Sequence, residues 1–482
     1  MRILIATAGS RGDVAPFTGL GVRLQAAGHQ VAVATHATFA ASVRAAGLEF
    51  RALPVDPRAE LASDEGRRLL QAGSGPRAVL ELIRLGRKFM PALGEGIADA
   101  TQLGTDLLLT TSTTGALGQV AAEAAGIPSI GLYLQPLSPT REFAPAVTGT
   151  RSLGRLGNLI AGHSVQAATD RLFAPAVHGL RHRLGLPPLR AAHARRKYPV
   201  LHGFSPTVVP RPTDWHPGLD VAGYWWPVRD PEWQPPARLL DFLAAGPPPV
   251  FVGFGSLVVP DPERLAATVV AAVRAARVRA VLQAGWSNLT AGESEDVLTI
   301  GDVPHDWLFP RMAAVIHHAG AGTTAATLRC GRPAIPVPAQ LDAPFWSDRL
   351  TRLDISPGPV PLRALTAVRL AAAIRQTLDN PPLSGPRPDG GRHTRRRGRC
   401  GEGPGGRRPG GMGRVSDDDE QRTDNRFRNM SSVRCHLFAV RCPLPAVSPY
   451  PPARTPAARR PPDTAPRTRY STDAAPKPTA QP

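Results

Sequence analysis

A short apolar run, a loop and a helical stretch follow one another in two separate parts of this chain, and that repeat limits the fold more than any other feature. In the first 60 residues, RILIAT (2–7) reads as a buried strand and GSRGDVAP (9–16) as a loop. FTGLGVRLQAAG (17–28) has helical spacing with Gly28 as its stop, HQVAVAT (29–35) is the next strand, and ATFAASVRAAG (37–47) is a helix stopped by Gly47. TDLLLTT (105–111) and PSIGLYL (128–134) read as later strands of the same sheet. Strands that alternate with helices imply a parallel sheet covered on both faces.

The pattern breaks between about 205 and 250, where Pro and Trp crowd into SPTVVPRPTDWHPGLDVAGYWWPVRDPEWQPP. A second series then begins. Its strands are PVFVG, VRAVLQAG, VLTIGDV, AAVIHH and PAIPVPA, and its helices are DPERLAATVVAAVRAAR and TTAATLRCG. The expected architecture is α/β, with two Rossmann-like domains facing across a cleft. We place the first domain at 1–215, a linker at 216–246, the second domain at 247–384 and a disordered basic tail at 385–482. Ligands of such sheets bind beyond the carboxyl ends of the strands.

Charge and cysteine content follow this division. The chain carries a formal net charge of +19, and from Pro386 onward there are 20 Lys+Arg against 9 Asp+Glu. The basicity is concentrated in a stretch rich in Pro, Gly and Arg with no apolar period, which reads as disordered. That stretch has few aromatic residues and no RNA-binding motif, so a nucleic-acid partner is not expected. Cys400, Cys435 and Cys442 lie in the tail and only Cys330 in the body, without the spacing of a zinc site or a disulfide framework. The acidic run DDDE (417–420) falls in the tail and reads as a solvated charge run, not a metal site. The N-terminus lacks a secretory signal, and the longest uncharged stretch, LLLTTSTTGALGQVAA, ends at Glu123, so a cytoplasmic protein without a transmembrane segment is expected.

The stretch VIHHAGAGTTAATL (315–328) carries the chemistry. Small residues let backbone N–H groups approach an anion closely, the following helix presents its positive end, and Thr323 and Thr324 can donate from their hydroxyls. His318 adds an imidazole donor. These residues suit a diphosphate held without a metal. The residues alone also fit a strand end followed by a helix with an ordinary polar cap. Three further turns sit at strand ends: GFGS (253–256), GDVPHDWLF (301–309), where Trp307 and backbone groups suit a planar base, and GSRGDVAP (9–16). Neither half shows a G-x-G-x-x-G fingerprint after its first strand, which argues against a dinucleotide-dependent dehydrogenase.

These segments resemble the nucleotide-sugar glycosyltransferases of the two-Rossmann-domain (GT-B) architecture, in particular the bacterial glycopeptide and macrolide glycosyltransferases and the sterol 3-beta-glucosyltransferases. The match runs through GSRGDVAPF (9–17), GLEFRAL (47–53), YLQPLSPTREFAP (133–145), FSPTVVPRPTDW (204–215), GYWW (223–226), PPPVFVGFGS (247–256), GDVPHDWL (301–308), HHAGAGTTAATLRCGRPAIPVP (317–338) and DAPFW (342–346). The resemblance implies an inverting, metal-independent transferase that needs no cofactor. It would move a hexosyl group from a UDP- or TDP-sugar to a hydroxyl of a small lipophilic acceptor, with possible peripheral contact to a membrane. It assigns His318, Gly320, Gly322 and Thr323 to the donor diphosphate with Ser256 nearby, Val303 to the nucleobase and Asp342 to sugar hydroxyls. In the first half it assigns Asp13 as general base, on a loop of Ser10, Arg11 and Gly12 near the diphosphate and acceptor. The residue-level alternative for Asp13 is a helix N-cap, and the helix start is expected to hold its pKa low.

Two positions depart from the family pattern. Ala319 replaces a glycine or cysteine, and Ala343 stands where the family has Gln, which removes one side-chain contact to the donor sugar. The resemblance stops near residue 383, and a one-nucleotide shift of reading frame would produce the Arg-rich stretch that follows. An alternative reading is therefore a catalytically impaired or non-catalytic relative that supports a partner enzyme.

Overall fold

The computed structural model describes residues 1–380 apart from 57–62, 65–67, 69–75, 189–197, 293 and 340. The tail, its three cysteines and the run at 417–420 lie outside the described residues.

The first sheet contains β1 (Arg2–Ala6), β2 (Gln30–His36), β3 (Glu49–Leu53), β4 (Leu107–Thr110), β5 (Ser129–Tyr133), β6 (Val200–His202) and β7 (Leu219–Val221). Their spatial order is β3-β2-β1-β4-β5-β6-β7, with every pairing parallel. Around them stand α1 (Arg11–Ala26), α2 (Ala40–Ala45), α3 (Pro76–Gln102), α4 (Gly115–Ala124) and α5 (Gly154–Arg183). The second sheet contains β8 (Val250–Gly253), β9 (Ala280–Gln283), β10 (Val297–Ile300), β11 (Val315–His317) and β12 (Ala334–Pro336), in the order β10-β9-β8-β11-β12 and again all parallel. Its helices are α6 (Ala237–Ala244), α7 (Pro262–Ala276), α8 (His305–Leu308), α9 (Ala321–Arg329), α10 (Ala343–Arg352) and α11 (Ala367–Asp379). The α/β reading holds, with two doubly wound parallel sheets.

Each strand feeds two cores because successive side chains leave on opposite faces. In β1, Leu4 and Ala6 join Leu93, Ile97, Leu117 and Leu180 from α3, α4 and α5. Ile3 and Ile5 join Phe17, Leu20 and Leu24 of α1 on the other face. In the second sheet, Val250, Val252 and Ile316 meet Val269 and Ile374 of α7 and α11, while Phe251, Val281 and Val315 meet Leu308 and Phe309. This two-sided burial is why the strands read as continuous apolar runs. Each fully buried Leu or Ile contributes about 1.5–3 kcal/mol.

Two local expectations are corrected. GSRGDVAP is not a loop through Pro16, because α1 begins at Arg11 with Ser10 as N-cap. Pro16 is the sixth residue of that helix, where its missing N–H removes only one intrahelical bond, to the carbonyl of Gly12. In addition, β7 and α6 both fall in the stretch 216–246 expected as linker, and β7 extends the first sheet. Trp225 is buried in the first-domain core, 5.7 Å from the ring of Phe17. Trp226 lies under the guanidinium of Arg329 at 4.4 Å, and Trp233 meets Trp307 edge-on at 5.4 Å.

The halves meet in a shared apolar cluster of Phe204, Trp215 and Val221 from one side with Ala319, Ala343, Phe345 and Trp346 from the other. Phe143 contacts Phe345 at 5.5 Å and Phe204 contacts Trp346 at 6.0 Å. Ion pairs span the boundary as well, Arg11 to Asp302 at 2.8 Å and Arg229 to Asp306 at 3.6 Å.

Candidate active site

Helices α1 and α9 approach one another across the boundary between the halves. On the α1 side, Asp13 is the third residue of the helix, not its N-cap. Its Oδ2 accepts from the backbone N–H of Ser10 at 2.8 Å and from the Ser10 hydroxyl at 2.9 Å. A carboxylate at the third helical position that reaches back to the N-cap N–H is half of a capping box. Both bonds fall on Oδ2, and Oδ1 accepts no hydrogen bond among the described residues. Gly9 is required beneath this carboxylate, because its φ is +145° and a Cβ there would lie 2.4 Å from Asp13 Oδ2. The Gly9 N–H donates to His36 Nε2 at 2.9 Å, and the Thr7 hydroxyl donates to the Asp13 carbonyl at 2.6 Å, so the loop is held at both ends.

The expected low pKa for Asp13 is corrected. Burial raises it, the two Ser10 bonds lower it, and the negative charge of Asp342 raises it further; the net direction is upward. Desolvation of the charged form outweighs the helix end here. Asp342 is raised for the same leading reason, while the Trp346 indole N–H, which donates to its Oδ2 at 2.7 Å, lowers it. Two carboxylates from opposite halves thus share the cleft.

On the α9 side, the first intrahelical bond runs from Thr324 N to the Gly320 carbonyl. The N–H groups of Ala321, Gly322 and Thr323 therefore emerge at the helix end, where the helix dipole favours negative charge. Gly322 is exposed and Thr323 half-buried. Thr324 is fully buried, so its hydroxyl is not available to a ligand, contrary to the sequence expectation.

The His318 ring sits between two glycines. A Cβ on Gly255 would lie 2.8 Å from its Cε1, and a Cβ on Gly320 would lie 2.5 Å from its Nε2. Burial pushes the His318 pKa down to about 4, and the Gly253 backbone opposes this. The imidazole is therefore neutral at pH 7. Its neighbour His317 ends β11, is fully buried and accepts from Ala319 N at 3.1 Å, which removes it from the cleft. Ser256 follows Gly255 on the turn after β8 and is half-buried.

Val303 is buried in the core with Phe251 and Leu308. Trp307 has Arg311 over its ring at 4.2 Å and lines a cavity of about 430 Å³ with Arg229, Trp233 and Asp306. Ala343 is buried in the interdomain cluster. Among the described residues no group of three or more His, Cys, Asp or Glu is placed to hold a metal ion, and no helix is long and apolar enough to cross a membrane.

The structure brings Ser10, Arg11, Gly12 and Asp13 to one wall of the cleft. His318, Gly320, Gly322, Thr323, Ser256 and Asp342 come from the other half. Sequence reading missed the supports: His36 under Gly9, Trp346 on Asp342, and Asp302 against Arg11. Only Trp346 left a signal, four residues beyond Asp342 and hence one helical turn away.

Residues 3–97 match the Glycosyltransferase family 28 N-terminal domain, and residues 267–386 match the Erythromycin biosynthesis protein CIII-like C-terminal domain. A sterol 3-beta-glucosyltransferase of Arabidopsis thaliana is 35% identical over 396 residues, covering 78% of this chain and 63% of the plant protein, so the chain spans about three fifths of that relative's length. The O-mycaminosyltylonolide 6-deoxyallosyltransferase of Streptomyces fradiae is 35% identical over 395 residues, covering 80% of this chain and 91% of that enzyme. The solved structure of the glycosyltransferase VinC in complex with dTDP superposes with a TM-score of 0.55 at 20% identity, covering 80% of this chain and 92% of VinC, a likeness of fold. By its identity to the Streptomyces enzyme over nearly that enzyme's whole length, the chain belongs to the nucleotide-sugar glycosyltransferases of the UDP-glycosyltransferase superfamily.

Proposed function

We propose that this protein is an inverting glycosyltransferase that moves a hexosyl group from a UDP- or TDP-sugar to a hydroxyl of a small lipophilic acceptor, without a metal ion. The relatives named for sterol and macrolide-type acceptors and the neighbour solved with dTDP support this substrate class. The observation that carries the mechanism is the Asp13 carboxylate, anchored through Oδ2 by Ser10, raised in pKa by burial and by the charge of Asp342 from the other half.

Asp13 Oδ1 takes the proton of the acceptor hydroxyl as its oxygen bonds to the anomeric carbon. The bond from that carbon to the diphosphate oxygen breaks, and the nucleoside diphosphate leaves from the opposite face, which inverts the configuration. A carboxylate with a raised pKa serves this better than an ordinary one, because its affinity for the proton is greater. Negative charge grows on the leaving diphosphate. The N–H groups of Gly322 and Thr323, the hydroxyls of Ser256 and Thr323, and the His318 imidazole meet it there as fixed dipoles. Asp342, held by Trp346, accepts from sugar hydroxyls.

The test is equilibrium binding of UDP and dTDP by calorimetry, with NADH as control. Micromolar binding of one nucleotide that is lost in His318→Ala supports the reading and selects the donor. A folded sample that binds neither would refute it and favour the non-catalytic relative, for which the apolar, buried Ala343 is the specific observation.

A further inference from the structure

We propose that His36 is a positioning residue for the transfer: its imidazole fixes the Gly9 peptide and, through it, the Asp13 carboxylate. This rests on the proposed role of Asp13 as base. His36 is the last residue of β2, which lies between β1 and β3 in the sheet. Its ring is fully buried and reaches the loops that follow both neighbouring strands. Nε2 accepts from the Gly9 N–H at 2.9 Å, beyond the end of β1, and Nδ1 meets the Val55 carbonyl, beyond the end of β3. A backbone N–H only donates and a carbonyl only accepts, so both bonds form together only on the neutral ring protonated at Nδ1. Burial favours that neutral state, lowering the His36 pKa against the Val55 carbonyl and the charge of Asp56.

The Gly9 anchor matters because of the N–H that follows it. That N–H, of Ser10, is one of the two donors to Asp13 Oδ2. Between the two N–H groups stands a glycine at φ +145°, the residue type least able to hold its own conformation. No side chain at position 9 can supply the hold, since a Cβ there would lie 2.4 Å from Asp13 Oδ2. His36 supplies it from the adjacent strand. The Thr7 hydroxyl fixes the far side of the turn by donating to the Asp13 carbonyl at 2.6 Å, but that bond sets the helix backbone and not the Ser10 peptide. Without an acceptor at Nε2, the peptide planes on either side of Gly9 rotate and the carboxylate moves with them. A displacement near 1 Å costs on the order of 10²-fold in rate.

Two conservative variants divide the two bonds of the ring. Oε1 of Gln is as many bonds from Cβ as Nε2, and Nδ2 of Asn is as many as Nδ1. His36→Gln therefore keeps an acceptor for Gly9, and His36→Asn keeps a donor for Val55. The full chain is assayed by release of nucleotide from UDP-glucose and dTDP-glucose, with cholesterol or water as acceptor. Calorimetry with UDP and dTDP, hydrogen exchange of peptides covering 7–13 and thermal melting accompany it. The expected result is that His36→Asn lowers kcat about 10- to 100-fold and speeds exchange in 7–13, with nucleotide affinity, set by the other half, unchanged. His36→Gln should restore both kcat and exchange toward wild type. Equal losses in the two variants that track melting temperature reduce His36 to a packing role and overturn the proposal. A folded His36→Gln protein whose kcat collapses overturns it too, whatever the fate of His36→Asn. Asp13→Asn separates the two levels of failure. Wild-type turnover in Asp13→Asn removes the base and this proposal with it, whereas a slow Asp13→Asn beside a wild-type kcat in His36→Asn overturns the positioning role alone.

Discussion

Replacing Gly320 by Ala tests whether His318 acts from a fixed position. The new Cβ would lie 2.5 Å from His318 Nε2, where ordinary contact begins near 3.4 Å. The ring must retreat by about 1 Å. The backbone itself accommodates alanine, because Gly320 has φ −66° and ψ 149°. An N-cap alanine costs about 1 kcal/mol relative to a good cap, and less relative to glycine. The fold should thus be nearly unaffected while the imidazole is misplaced. A displacement of that size costs on the order of 10²-fold in rate, about 2.7 kcal/mol. We expect Gly320→Ala to weaken nucleoside diphosphate binding and cut kcat/KM toward the level of His318→Ala, with a melting temperature within a few degrees of wild type. Calorimetry and thermal melting read the two halves separately. Wild-type affinity and turnover in a folded Gly320→Ala protein would refute the argument that this glycine exists to seat the histidine.

Asp13→Asn keeps an oxygen for the two Ser10 bonds, so it should fold as well as wild type or better, since it removes a buried charge beside Asp342. Its kcat should fall about 10²–10⁴-fold, and wild-type turnover on a true acceptor would end the base assignment. In the wild-type enzyme the acid limb of kcat/KM should lie above the ordinary carboxylate range, because Asp13 must lose its proton to act. Trp346→Phe removes the 2.7 Å bond to Asp342; a hydrogen bond to a charged group is worth about 1.5–3 kcal/mol, and the donor-sugar KM should rise about tenfold while free nucleotide affinity changes little. Burial lowers the pKa of His202 to about 4 and of His317 to about 3, against 6.5 when unfolded. Their contribution to stability is present above about pH 6.5 and is lost as pH falls toward the folded values, about 2 kcal/mol each by pH 5. Urea unfolding at pH 7 and pH 5 should show that loss, whereas Asp13 and Asp342, raised in the fold, act with the opposite sign at lower pH.

The sequence by itself determined the two sheets. Runs such as RILIA and VFVG are short, apolar and bounded by Gly or Ser turns, and a strand buried on both faces leaves that signature wherever it lies. It also located the turn at His318, because glycines between a strand and a helix are a local requirement. What it misjudged is instructive. Pro16 suggested a loop, yet the bonds between Ser10 and Asp13 start the helix five residues earlier, and one proline in its second turn breaks only one bond.

The protonation behaviour of the site was not legible in the chain. A helix start argues for a low Asp13 pKa, but burial of the carboxylate, with the added charge of Asp342, 329 positions away in sequence, reverses it. The pairing of Arg11 with Asp302 likewise depends on what packs across the cleft, and the neutral state of His318 and the burial of Thr324 depend on burial in the folded chain. Hydrophobic period and turn chemistry act between neighbours along the chain, so they are written there. Electrostatics and desolvation depend on distance in space, and only the tertiary structure sets those distances.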